Sequence, residues 1–202
     1  MREVVGLLLA SGFSTRFGSQ KLLKSLGTRG CIAEIACRNL IGGTDRVVAV
    51  VRPDQQELRD LLRAQGAEIV VFNRANLGIG ATLAEGVKAS SSAKAWLIAL
   101  ADMPWIGSST IIQLAALLRE NKRIVAPVYK GVQGHPVGFD AEYLDQLIGL
   151  TGDFGARSIL KKNSDALYLM SCEDPGVILD IDEPADLLKM DNLGLPNKNE
   201  IL

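Results

Sequence analysis

An α/β fold, built on a doubly wound and mostly parallel sheet, is what this 202-residue chain predicts. Three observations carry the prediction. Apolar runs alternate with helical patterns along the first two thirds of the chain. Several of those runs are apolar throughout, as strands covered on both faces are. The first of them ends in a loop rich in Gly, Ser and Thr, and the carboxyl ends of strands are where open α/β sheets bind ligands. A βαβαβ order of this kind implies right-handed crossovers.

The first strand is predicted over Val4–Ala10 and the first helix over Cys31–Leu40. Arg46–Val51 reads as the second strand. Its end, Val51-Arg52-Pro53-Asp54, stops the extended run and offers Asp54 as N-cap of a helix over Gln55–Gln65. A third strand over Glu68–Phe72 leads through a loop with glycines to a helix over Gly80–Ala89, and a fourth over Ala95–Ala99 precedes a helix over Ser108–Asn121. Ile124–Tyr129 is the fifth strand. The rhythm then changes: a Gly-rich turn at 131–134, a short strand over His135–Asp140, and helices over Ala141–Leu147 and Phe154–Lys161. A strand over Ala166–Met170, a short strand over Val177–Asp180 and a helix over Pro184–Met190 complete the pattern. With no repeat or linker, residues 1–190 read as one domain and 191–202 as a loosely held tail.

The formal net charge of −1 argues against a general nucleic-acid binder, which needs a basic face. No apolar run approaches the ~18–20 residues that span a bilayer, so no membrane association is expected. The early apolar run lacks the basic flank of a secretory signal, because Glu3 offsets Arg2. Cys31, Cys37 and Cys172 are odd in number and lack metal-ligand spacing, which suits small core residues in a reduced, cytoplasmic setting.

The chemistry concentrates in the first loop, which brings backbone N–H groups and the cations Arg16 and Lys21 to the end of a strand. That combination is what a polyphosphate needs. The loop is neither a P-loop nor a dinucleotide fingerprint: five residues separate Gly12 from Gly18, Lys21 comes later, and no third glycine follows. In Ala99-Leu100-Ala101-Asp102-Met103-Pro104 an acid sits just past a buried strand, where it can meet a hard cation such as Mg2+ or cap a turn. Alternation puts Asp180 and Asp182 on one side of an extended segment; two carboxylates there could complete a metal site, while Asp182 also suits an N-cap. His135 sits between a Gly-rich turn and a strand, a setting for hydrogen bonding to a substrate. The Asn73–Thr82 loop has glycines that let a ligand approach the backbone, and Asp153 with Arg157 forms either an anion-binding turn or an i, i+4 pair.

The first loop reads Leu9-Ala10-Ser11-Gly12-Phe13-Ser14-Thr15-Arg16-Phe17-Gly18-Ser19-Gln20-Lys21. With Ala-Asp-Met-Pro, Gly134-His135-Pro136, Gly152-Asp153-Phe154-Gly155-Ala156-Arg157 and Asp180-Ile181-Asp182-Glu183-Pro184, it resembles the molybdenum cofactor cytidylyltransferase branch of the MobA-like family. The resemblance spans nearly the whole length and implies a Rossmann-like nucleotidyltransferase architecture. It implies transfer of CMP from CTP to the phosphate of molybdopterin cofactor, with release of pyrophosphate and use of Mg2+, or Mn2+ in its place. Arg16 and Lys21 would then hold the triphosphate, and Ala10, Ser11, Gly12, Ser14 and Thr15 would line the nucleotide site. Asn73, Gly78 and Thr82 would contact base and ribose, Asp102, Asp182 and Asp180 would hold the metal, and His135, Asp153 and Arg157 would face the pterin. A molybdenum hydroxylase apo-enzyme is the implied partner. Ser11 stands where cytosine users carry Ala and guanine users Gly, and Thr82 stands where Ser is usual. A GTP-dependent or sugar-phosphate nucleotidyltransferase, or a non-catalytic molybdopterin carrier, are the alternatives.

Overall fold

The computed structural model describes residues 2–13, 17, 20–183 and 185–186. Within them the apolar runs become one sheet: β1 (Val4–Leu9), β2 (Arg46–Val51), β3 (Glu68–Val71), β4 (Ala95–Leu100), β5 (Ile124–Tyr129), β6 (Val132–Gln133), β7 (Val137–Asp140) and β8 (Leu167–Ser171). The helical patterns become α1 (Ile32–Ile41), α2 (Gln56–Ala64), α3 (Ile79–Ala89), α4 (Ser108–Arg119), α5 (Leu144–Ile148) and α6 (Arg157–Lys162). The strand order is β3-β2-β1-β4-β7-β5-β6, with β8 also paired to β5.

Strand pairing explains the continuous apolar runs. Every residue of β1 is buried, because parallel neighbours β2 and β4 flank it and helices cover both faces. Leu8 joins α1, α2 and α4 residues such as Ile32, Leu58 and Leu114 on one face. Leu7 and Leu9 join α3, α5 and α6 residues such as Leu83, Leu147 and Ile159 on the other. Trp96 is fully buried on this second face, and its indole N–H donates to Ser90 Oγ at 3.0 Å. Chain order runs outward from β1 in one direction through β2 and β3, and in the other through β4. The carboxyl ends of β1 and β4 therefore flank a topological switch point, where a crevice opens.

The later part departs from a simple parallel continuation. β7 inserts between β4 and β5 and runs antiparallel to both, while β8 returns parallel to β5. The short strand expected over Val177–Asp180 is a 3-10 turn at Pro175–Ile178 instead. Pro175 stands at the start of that turn, and the Asp174 carboxylate accepts the Gly176 N–H at 2.9 Å, so the backbone curls rather than pairs. The helix expected at 154–161 splits into a 3-10 turn at Gly152–Phe154 and α6, with Gly155 at φ +51 between them. Asp54 does not cap α2; Gln55 takes that position and the Asp54 carboxylate pairs with Arg52. The expected helix at 184–190 and the tail at 191–202 fall largely or wholly outside the described residues. No helix among the described residues is long and apolar enough to cross a membrane.

Cys37 of α1 lies wholly within the core, and burial pushes its thiol up to about 11. A proton held more tightly in the folded than in the unfolded chain stabilises below the ordinary thiol value of 9.0 and is lost as pH rises toward 11. Relative to Cys37→Ala, the parent protein is expected to lose urea stability across that window and to show no difference in slope below it.

Candidate functional site

The loop after β1 is fixed from the side of β2. Ala10 N–H continues the ladder to Val50 O at 3.0 Å. Gln55 Nε2 donates to Ala10 O at 3.2 Å, and Arg52 donates to the carbonyls of Ser11 (3.0 Å) and Gly12. Arg52 is itself held by both Asp54 oxygens at 3.0 Å. With these carbonyls engaged, the chain at 10–12 is anchored as the floor of a cleft of about 330 Å³.

Ala10, Ser11, Gly12, Lys21, Gly78, Thr82, Asp102 and Asp153 all line that cleft, as do Phe13 and Asn76. The opposite wall comes from the start of α3. Gly78 has φ +96, and a Cβ there would overlap Gly152 and the Asp153 carboxylate, so glycine lets α3 close against the 152–154 turn. Thr82 and Ser11 meet across the cleft floor through a buried Oγ1···Oγ hydrogen bond of 2.8 Å. Thr82→Val would leave the Ser11 hydroxyl buried without this partner, at a cost of about 1–2 kcal/mol. The melting temperature should fall by about 3–6 °C, and Thr82→Ser should retain it.

Lys21 begins a 3-10 turn at Lys21–Leu23, and although a lysine it is only 6% exposed. Its ammonium donates to Asp102 Oδ2 at 2.9 Å and to Asp182 Oδ1 at 3.3 Å. Burial alone would lower the Lys21 pKa, but the two carboxylates more than offset it and hold the group above its ordinary value. Asp102 is placed by β4, since Ala101 N–H donates to Leu9 O at 3.1 Å alongside β1. The late acidic segment is tied to the same corner: Ile181 N–H donates to Asp102 O at 3.0 Å, and the Asp186 carboxylate accepts the N–H groups of Asp182 and Glu183 at 2.9 and 2.8 Å. The first loop and Asp102 thus line one hollow, whereas Asp180 and Asp182 are not among its lining residues and Asp182 meets it through Lys21.

Asp180 is exposed beside this group. Partial desolvation by its neighbours pushes its carboxyl up, and the nearby charges of Asp182 and Asp102 push the same way against the pull of Lys21. Asp102 and Asp182 both reach the Lys21 ammonium, and carboxylates are the hard oxygen donors that a divalent cation such as Mg2+ or Mn2+ takes. Among the described residues no group of three or more His, Cys, Asp or Glu side chains is placed to hold a metal ion. Mg2+ does not need one, because it is commonly held by one or two carboxylates together with substrate phosphate oxygens and water.

His135 lies on the same side. Its backbone N–H donates to Val177 O at 2.8 Å, and its ring Nδ1 is buried without a hydrogen-bond partner among the described residues. Burial pushes the imidazole below its ordinary value, against the pull of Asp102 and Asp180 and together with the push of Arg157. Arg157 opens α6 and is exposed, and no ion pair joins it to Asp153 among the described residues. Asn73 is exposed just beyond β3 and does not line the cleft, whereas Asn76 does. Ser14, Thr15 and Arg16 lie outside the described residues. The sequence pattern missed Arg52, Gln55 and Asn76; the one available signal was the charged Arg52 at the carboxyl end of a buried strand.

Residues 6–167 match the family described as the MobA-like NTP transferase domain. A nicotine blue oxidoreductase from Paenarthrobacter nicotinovorans is 27% identical over 93% of this chain and 96% of its own length. A molybdenum cofactor cytidylyltransferase from Escherichia coli K12 is 24% identical over 93% of this chain and 95% of its own. Among solved structures, Rv0371c of Mycobacterium tuberculosis in complex with manganese superposes with a TM-score of 0.77 at 19% identity, covering 93% of this chain and 97% of that one.

Proposed function

The chain belongs to the MobA-like NTP transferase family, and from that premise we propose that it transfers CMP from CTP to the terminal phosphate of molybdopterin cofactor, releasing pyrophosphate. The observation that carries this reading is the Lys21 ammonium, drawn from the glycine-rich loop to both Asp102 and Asp182 at the edge of the cleft. The likeness to the Escherichia coli cytidylyltransferase favours cytosine as the base and molybdopterin as the acceptor.

An acceptor phosphate oxygen would form a bond to the α-phosphorus of CTP while the bond from that phosphorus to the β-bridging oxygen breaks, and the leaving group is pyrophosphate. Such a displacement needs alignment and charge neutralisation more than a protein nucleophile. Ala10, Ser11 and Gly12 would lie beneath the nucleotide, with Gly78 and Thr82 along the opposite wall. Lys21, with Arg16, would hold the triphosphate and offset charge on the departing oxygens. Asp102 and Asp182, with Asp180 beside them, would hold Mg2+, which when bound neutralises phosphate oxygens. His135, Asp153 and Arg157 would meet the acceptor.

The test is pyrophosphate release by the full chain with each of the four NTPs, Mg2+ or Mn2+, and either molybdopterin cofactor or a sugar phosphate. CTP with molybdopterin should give the highest kcat/KM. Preference for GTP or for a sugar phosphate would replace base or acceptor within the same reaction. Tight pterin binding with no turnover under any of these conditions would make the protein a carrier instead.

A further inference from the structure

Phe13 is 56% exposed, yet it follows directly on the anchored floor of the cleft. It borders two hollows: the main cleft, beside Ser11, Gly12 and Thr82, and a smaller one against α2 that Arg52 also lines. Arg52 does not line the main cleft. Its guanidinium carbon stands 4.5 Å from the Phe13 ring centroid, a cation–π distance. The same guanidinium is held by Asp54 and by the Ser11 and Gly12 carbonyls, so it has little freedom to leave. One side of the ring is therefore backed by a fixed cation, and the ring also borders the main cleft.

An exposed aromatic ring on a pinned support, next to a cleft of about 330 Å³, is well suited to a flat ligand. Stacking on an aromatic ring is tolerant of the ligand's hydrogen-bond pattern, since every heteroaromatic ring presents a π-face. We propose that Phe13, backed by Arg52, is a stacking platform for a planar heteroaromatic ring bound in the cleft. The proposal rests on the nucleotidyl-transfer reading and adds to it a contact that the phosphate and acid residues do not provide. Both substrates of that reading contain such a ring, the cytosine of the nucleotide and the pterin of the acceptor.

Steady-state pyrophosphate release by Phe13→Ala, Phe13→Trp and Tyr168→Ala distinguishes the two sources. Tyr168 is the control: it also lies under a cation, Lys122 at 4.8 Å, but on the edge strand β8 outside the cleft. Phe13→Ala should raise the KM for one substrate about tenfold, with Phe13→Trp restoring it and Tyr168→Ala leaving it unchanged. A rise confined to CTP places the base on the ring, and a rise confined to molybdopterin places the pterin there. KM values for both substrates within twofold of the parent protein would overturn the platform while leaving nucleotidyl transfer intact.

A binding readout keeps the two readings separable if no turnover is seen. Fluorescence of Phe13→Trp, referenced to the parent protein, should be quenched by CTP or by molybdopterin and not by inorganic tripolyphosphate. Absence of quenching by either ring-bearing ligand would overturn the proposal.

Discussion

Lys21→Ala is expected to lower the rate of pyrophosphate release by about 10²–10³, the scale seen when one preorganised donor is removed from a developing charge. The ammonium is the cation that the structure places between Asp102 and Asp182, at 2.9 and 3.3 Å. Without it the two carboxylates lose the ammonium that both reach, so the triphosphate would meet a more anionic corner. The acids are partly exposed, and water screens much of that repulsion, so the fold should persist. Circular dichroism close to that of the parent protein, with kcat down by the stated factor, is the result that supports the assignment. Lys21→Arg keeps the charge on a planar, bulkier head and should recover only part of the loss. Turnover by Lys21→Ala within a few fold of the parent protein would remove Lys21 from the machinery.

Gly134→Ala should have the largest effect on stability. A Cβ at this position would overlap the carbonyl of Val177, the same carbonyl that accepts the His135 N–H at 2.8 Å. The obstacle is backbone rather than a flexible side chain, and it has little room to retreat, because Gly176 is packed just as closely against the backbone of Trp105. Overpacking of this kind costs about 3 kcal/mol, which corresponds to a drop in melting temperature of about 6–12 °C. The damage should reach the site as well. Val177 precedes Ile181 and Asp182 on one short segment, and Ile181 is tied to Asp102 at 3.0 Å. A thermal melt with a pyrophosphate assay at a temperature where the variant stays folded would read both effects. An unchanged melting temperature would show that the segment yields easily.

The first half of the fold was legible because its signals are local. Val4–Leu9 is an uninterrupted apolar run, too short for a typical helix and suited to a strand covered on both faces. Asp102 could be singled out for the same reason, since it stands just beyond such a run, and Lys21 because it closes the glycine-rich loop that follows the first one. The antiparallel insertion of β7 between β4 and β5 could not be read, because it depends on partners distant in the chain and on no periodicity of its own. Pro175–Ile178 misled because Val177–Asp180 alternates like a strand, while the Asp174 cap that curls it lies just upstream. Arg52 escaped notice for a different reason. Its partners at Ser11 and Gly12 are about forty positions away, and a lone charge at a strand end looks like any solvated cation.

The order in which the chain supplies these groups has a consequence for its synthesis. Among the described residues the last strand ends at Ser171, whereas the second carboxylate that meets Lys21 arrives at Asp182. A nascent polypeptide leaving the ribosome therefore supplies the described strands before it supplies that carboxylate and the buried Val177 and Ile181 that precede it. A stop codon falling between those two positions would yield a product that encodes every described strand but lacks Asp182 and the buried Ile181 that ties its segment to Asp102.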